Sequence, residues 1–145
     1  MKNKRAQLFW ATALALFTFA CKKDKAAADL TTLLVTEPWK YDVRGIDHNK
    51  DGKIDTELSL QDCLSDELIY FYPDGTGMVD QGANQCFPGY PQTQEFTWQL
   101  LDNNKQLEYA GATYYLIQLN ETHLVVYTEE FVGAETVRYI VRYKH

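Results

Sequence analysis

The signatures of catalysis are missing from this chain. There is no Gly-x-Ser-x-Gly turn, no pair of catalytic carboxylates and no cysteine set beside a histidine, so the protein is not expected to be an enzyme. The three histidines, His48, His123 and His145, are scattered. His48 sits among acids and reads as solvated; His123 begins a strand and reads as a surface residue. Cysteine is scarce, with three copies and no Cys-x-x-Cys pair, which disfavours zinc. Positive charge is in deficit: 14 lysines and arginines face 20 aspartates and glutamates, a formal net charge of −6. If Lys2, Lys4 and Arg5 are removed by processing, 11 basic residues remain and the balance falls to −9. A nucleic-acid partner is not expected, because phosphate binding needs a basic face. No apolar run is long enough to span a bilayer. The longest, Leu8 to Ala20, has 13 residues, where a spanning helix needs about 20. No repeat recurs at a fixed period.

What is present points to one all-β domain. A chain of 145 residues with 46% hydrophobic content can build a single respectable core. Ten tyrosines and seven phenylalanines suit pleated, half-buried surfaces. Leu30 to Val35, with Asp29 as N-cap, predicts a short helical turn that Pro38 prevents from continuing. Trp39 to Ile46 alternates, with Trp39, Tyr41 and Val43 on one face and Lys40, Asp42 and Arg44 on the other. Further strands are expected at Leu68–Tyr72, Thr76–Asp80, Glu95–Leu101, Gln106–Tyr109, Thr113–Leu119, His123–Glu129 and Glu135–Lys144, with Phe131 to Ala134 as a bend. Pro73-Asp74-Gly75 is a hairpin turn. Gly82, Pro88, Gly89 and Pro91 mark a loop. Eight short strands with tight connections predict an antiparallel up-and-down barrel, since closure removes aggregation-prone edges.

The first residues are an address. Met1 to Arg5 is basic and the 13-residue apolar run follows, as in an export signal. The run ends at Ala20-Cys21, which resembles the lipobox of bacterial lipoproteins; Thr18 and Phe19 stand where that motif usually has Leu and a small residue. The resemblance implies that Cys21 becomes the lipidated first residue of the mature chain. Residues 1–20 are then a lipoprotein signal peptide, 21–29 a polar, alanine-rich tether and 30–145 the domain. The location implied is a bacterial cell envelope, anchored to a membrane and facing the periplasm or the exterior.

The most specific stretch is Asp47-His48-Asn49-Lys50-Asp51-Gly52-Lys53-Ile54-Asp55. Oxygen-bearing side chains at nearly every second position, with one glycine for the turn, suit a loop curling round a hard cation. It resembles an EF-hand or dockerin loop, which implies Ca²⁺ held by Asp47, Asn49, Asp51, the Lys53 carbonyl and Asp55. Leu58 occupies the twelfth position, where a bidentate carboxylate is usual. Glu57 lies one residue off and Asp62 is within the same segment, so affinity on the order of 10⁻⁴ M or weaker is expected. The alternative is a metal-free turn in which Asp and Asn bond their own backbone. The repulsion among clustered carboxylates favours the cation.

Cys63 and Cys86 remain once Cys21 is lipidated. In an oxidising compartment they most simply form a disulfide; two free thiols are the other reading. The export signal ending in Cys, Leu33-Leu34 shortly before Trp39, the acidic loop, the Asp-Gly hairpin, a Phe-x-Trp strand and a late Tyr-rich hairpin are together similar to the lipocalin-like lipoproteins of Bacteroidetes. That resemblance implies an eight-stranded up-and-down barrel with an interior ligand, one end of which the Leu30–Val35 helical turn would plug. Two functions follow. Trp39, Trp98, Tyr139 and Tyr143 could line a cavity for a small hydrophobic ligand. Alternatively, side chains fill the barrel and its loops contact an envelope partner. The interior discriminates: an open cavity favours the first, a packed core the second.

Overall fold

The computed structural model describes residues 29–145. The expected export signal, Cys21 and the expected tether as far as residue 28 lie outside the described residues. A short helix, α1 (Leu30–Val35), opens the domain. Asp29 caps it by accepting from the Thr31 amide at 3.2 Å, and Leu34 is its fully buried residue. The Trp39 indole N–H donates to the Leu34 carbonyl at 2.9 Å, fastening helix to sheet. With its contacts to β3 (Leu68–Phe71) and β7 (Ala112–Leu119), α1 covers one end of the fold.

All nine strands belong to one antiparallel sheet. The others are β1 (Trp39–Asp47), β2 (Thr56–Leu58), β4 (Thr76–Asp80), β5 (Thr93–Leu101), β6 (Gln106–Tyr109), β8 (His123–Val132) and β9 (Glu135–Lys144). The order is β2-β1-β3-β4-β5-β6-β7-β8-β9, and β1 also pairs with β9, so the sheet is nearly ring-closed. The long β1–β9 ladder, from Lys40↔Lys144 to Asp47↔Arg138, makes one side of that closure. Only Trp39 and Lys40 pair with β3 on the other side, while the distal half of β1 pairs with β2. Strand β2 is the element that periodicity does not reveal: three residues are too few to alternate, and it forms because Arg44–Ile46 offer an edge.

The alternation in β1 breaks at Asp42. A bulge there puts Tyr41 opposite Tyr143 but Val43 opposite Arg142, so Val43 turns to the outer side and does not continue the Trp39–Tyr41 face. The outward Asp42 carboxylate takes Arg142 at 2.6 Å and Lys144 at 2.9 Å. Those contacts, Lys144 first, hold its pKa below the usual carboxylate value. The expected bend at Phe131 is likewise absent: pairing runs on to Val132↔Glu135, and only Gly133-Ala134 turn.

Alternating direction sorts the connections. Strands β1, β4, β6 and β8 run away from α1, so the loops that follow them (48–55, 81–92, 110–111 and 133–134) share the far end.

Candidate functional site

The loop from β1 to β2 is built on a wholly buried carboxylate. Asp47, the last residue of β1, accepts from the Asp51 amide through Oδ1 (3.2 Å) and from the Gly52 amide through Oδ2 (2.9 Å). Asn49 Oδ1 takes the Asp51 amide, and Asp51 Oδ1 takes the Lys53 amide, both at 2.9 Å. Asp55 Oδ2 takes the amides of His48 (2.8 Å) and Asn49 (3.4 Å), while the Asp55 amide donates to the Ile46 carbonyl. Lys50 and Gly52 adopt φ of 61° and 84°, turning the chain left-handed at two points. Every expected side-chain ligand thus points back into the loop. Glu57 lies beyond it on β2, paired with Gly45, and Asp62 begins a short 3₁₀ turn (Asp62–Leu64).

The loop is pressed on the outer side of the sheet. A Cβ at Gly45 would collide with Ile54 Cγ2 and with the Thr56 carbonyl, so only glycine lets Ile54 lie there. Arg138 donates to the Lys50 carbonyl at 2.9 Å and lies 4.4 Å from the Tyr127 ring centre, tying loop to sheet. A groove of 520 Å³ runs between the loop and the outer face, with Val43, Ile54, Ile117 and Val125 among its walls.

The loop's oxygen-bearing side chains each accept from its own backbone amides. A carboxylate oxygen that accepts one amide keeps a further lone pair. Among the described residues, no three His, Cys, Asp or Glu side chains draw together as a metal-holding group. The expected set also relies on the Asn49 amide and Lys53 carbonyl oxygens.

The four aromatics expected to line a cavity lie in the interior. Trp39 and Tyr143 are buried, Trp98 nearly so, and Tyr139 packs partly buried against the same cluster. Trp98 and Tyr143 pack against other interior rings. The rings of Phe96, Trp98 and Tyr109 stand 5.5, 5.7 and 5.6 Å from Phe71, edge-on. Tyr114 stacks on Tyr109 at 4.8 Å, and Tyr41 tilts against Tyr143 at 4.7 Å. The polar tips are matched as well: the Trp98 indole donates to the Tyr72 carbonyl at 3.0 Å, and the Tyr109 and Tyr143 hydroxyls meet at 2.8 Å. Burial pushes both hydroxyls well above the usual tyrosine pKa. Phe96 shares the inward face of its strand with Trp98 and Leu100, as alternation predicts; Phe71 and Tyr109 join them beyond the four expected aromatics. The alternation in Ile69-x-Phe71 and Leu107-x-Tyr109 carried that signal.

Cys63 and Cys86 are disulfide-bonded, with Cα atoms 5.0 Å apart. The bridge ties the segment after β2 to loop 81–92. Asp66 reinforces it by accepting from the Ala83 and Asn84 amides at 2.8 and 3.2 Å. The neighbouring Glu67 is half-buried, and that burial, with the charge of Asp66, raises its pKa. Among the described residues no helix is long and apolar enough to cross a membrane. Compared with known proteins, the chain matches no family model and no curated protein.

Proposed function

We propose that the chain is a lipid-anchored envelope lipoprotein whose eight ring strands, β1 and β3 to β9, form a lipocalin-like up-and-down barrel filled by its own side chains. It serves as an interaction module and not as a carrier. One observation carries this reading: Trp98 packs edge-on against Phe71 and Tyr143 tilts against Tyr41, and the polar atoms of Trp39, Trp98 and Tyr143 are already hydrogen-bonded. Interiors at native density have no room for a guest without displacing such contacts. The test has two arms. Titration of the purified protein with an apolar naphthyl probe should give no saturable fluorescence rise, whereas a carrier would saturate at one equivalent. Cys21→Ser should leave the membrane fraction; a variant that stays there with unchanged mobility removes the anchor from the proposal.

A second reading concerns the β1–β2 loop, as a structural Ca²⁺ site formed by Asp47, Asn49, Asp51, the Lys53 carbonyl and Asp55. Its support is the fully buried Asp47, whose oxygens meet two amides and, among the described residues, no cationic side chain. A buried carboxylate is costly without a counter-charge. Binding to the folded state alone should raise Tm with the logarithm of calcium concentration, into the millimolar range. Asp51→Ala should abolish that rise. A melting curve indifferent to millimolar calcium leaves the self-bonded turn.

A further inference from the structure

The far end of the domain carries an arm. Pairing of β7 with β8 stops at Tyr115↔Tyr127, and pairing of β1 with β9 stops at Asp47↔Arg138. The hairpin itself continues to Val132↔Glu135. Thr128 to Val132 therefore present a free edge on the β7 side, five residues long, and Glu135 to Val137 a shorter one on the β1 side. Two-stranded ribbons are marginal on their own, and free edges are templates for pairing with another chain. The tip is apolar: Phe131 is 83% exposed and Val132 53%. Both lie in a setting of one charge sign, with Glu129, Glu130 and Glu135 around them and Arg138 engaged with Glu129 at 3.6 Å.

We infer that this arm docks an extended segment of a protein partner, which adds as a strand to the Thr128–Val132 edge and brings alternating apolar and basic side chains. Main-chain hydrogen bonds supply affinity in such strand addition, and side-chain pockets and charges supply specificity. The charges select the occupant. Pairing the whole free edge of two copies centres on Glu130 and sets Glu130 against Glu130, so a second copy is repelled; a lysine or arginine at that position is attracted. Position argues against the membrane as occupant. The chain enters at α1, and β8, ten residues and about 33 Å long, carries the tip away from that end. The inference rests on reading the domain as an interaction module; only the exclusion of the membrane uses the proposed anchor.

The test uses the full-length protein in detergent and three labelled octapeptides, alternating Val-Lys, Val-Glu and Ser-Lys, read by fluorescence anisotropy. Val-Lys should bind at least tenfold more tightly than either of the others. Phe131→Asp should weaken it tenfold or more with Tm unchanged, since that side chain is solvent-exposed. Tyr72→Asp, in a turn at the opposite end, should leave binding intact. Glu130→Lys with Glu135→Lys should reverse the preference toward Val-Glu. Equal binding of Ser-Lys, or indifference to both arm variants, would overturn the proposal, as would dimerisation abolished by Phe131→Asp. These outcomes are separable from the parent reading: a retained interior ligand contradicts the module and leaves the arm standing, whereas indifferent arm variants sink the arm alone.

Discussion

The two ends of the sheet are made differently. Around α1, Leu34, Trp39 and Tyr143 are sealed from solvent, and the indole of Trp39 is tied back to the helix. At the far end the loops carry Phe87 and Tyr90, each 62% exposed, and the Phe131–Val132 tip, beside a self-bonded acidic turn. At the first end Trp39 and Tyr143 are buried with their polar atoms satisfied; the second displays aromatics beside carboxylates. Exposed apolar groups of this kind mark interaction sites when they cluster. The sealed aromatic packing lies near α1; on the proposed reading, recognition belongs to the opposite loops.

That contrast can be broken most severely at Trp39. Trp39→Ala should cost about 3–5 kcal/mol, from a cavity and a lost hydrogen bond. Phe131→Ala should lie within about 0.5 kcal/mol of the parent. Urea unfolding of the two variants measures the asymmetry directly. Reduction of Cys63–Cys86 should cost roughly 3 kcal/mol, by the chain-entropy value for a loop of about 24 residues. Its structural effect should be local, read as faster amide exchange in residues 81–92 with α1 unchanged.

The tyrosine pair gives a smaller, pH-dependent effect. Tyr143→Phe should cost about 1–2 kcal/mol at neutral pH, because it strips the buried Tyr109 hydroxyl of its partner. Both hydroxyls have a folded-state pKa raised above the ordinary tyrosine value by burial. Their contribution is therefore complete below about pH 10 and is lost as pH climbs toward the folded values. Unfolding followed from pH 9 to 12 should show that decline, less steep in the variant. Glu67→Gln should give the smallest change, and in the opposite direction. A raised carboxyl pKa means that the folded state favours the neutral acid. Its contribution is present below the ordinary glutamate pKa and lost as pH rises through the folded one. The amide should thus raise Tm slightly at pH 7 and leave it unchanged near pH 3.

Most of the strand layout was legible because period-two alternation and turn chemistry agree there. Thr76–Asp80, Gln106–Tyr109 and Glu135–Lys144 have the expected bounds. The Asp29 cap also follows from residue type, and the Cys63–Cys86 bridge from setting Cys21 aside for lipid. What was illegible depends on partners distant in sequence. Strand β2 exists only against Arg44–Ile46, and the bulge that turns Val43 outward is set by the register of β9 against β1. The sequence predicts a bend over Phe131–Ala134, yet Phe131↔Thr136 and Val132↔Glu135 carry the ladder through its first half. In the acidic loop the residue types were legible. Their commitment to the loop's own amides was not, since the same spacing serves a turn or a cation.

The measurement that bears most directly on the filled-barrel account is native mass spectrometry of the full-length protein purified from the cells that make it, released gently from detergent. The account predicts the mass of the lipidated chain with one disulfide, and no retained apolar molecule. A stoichiometric small-molecule adduct that leaves only when the protein unfolds would contradict it.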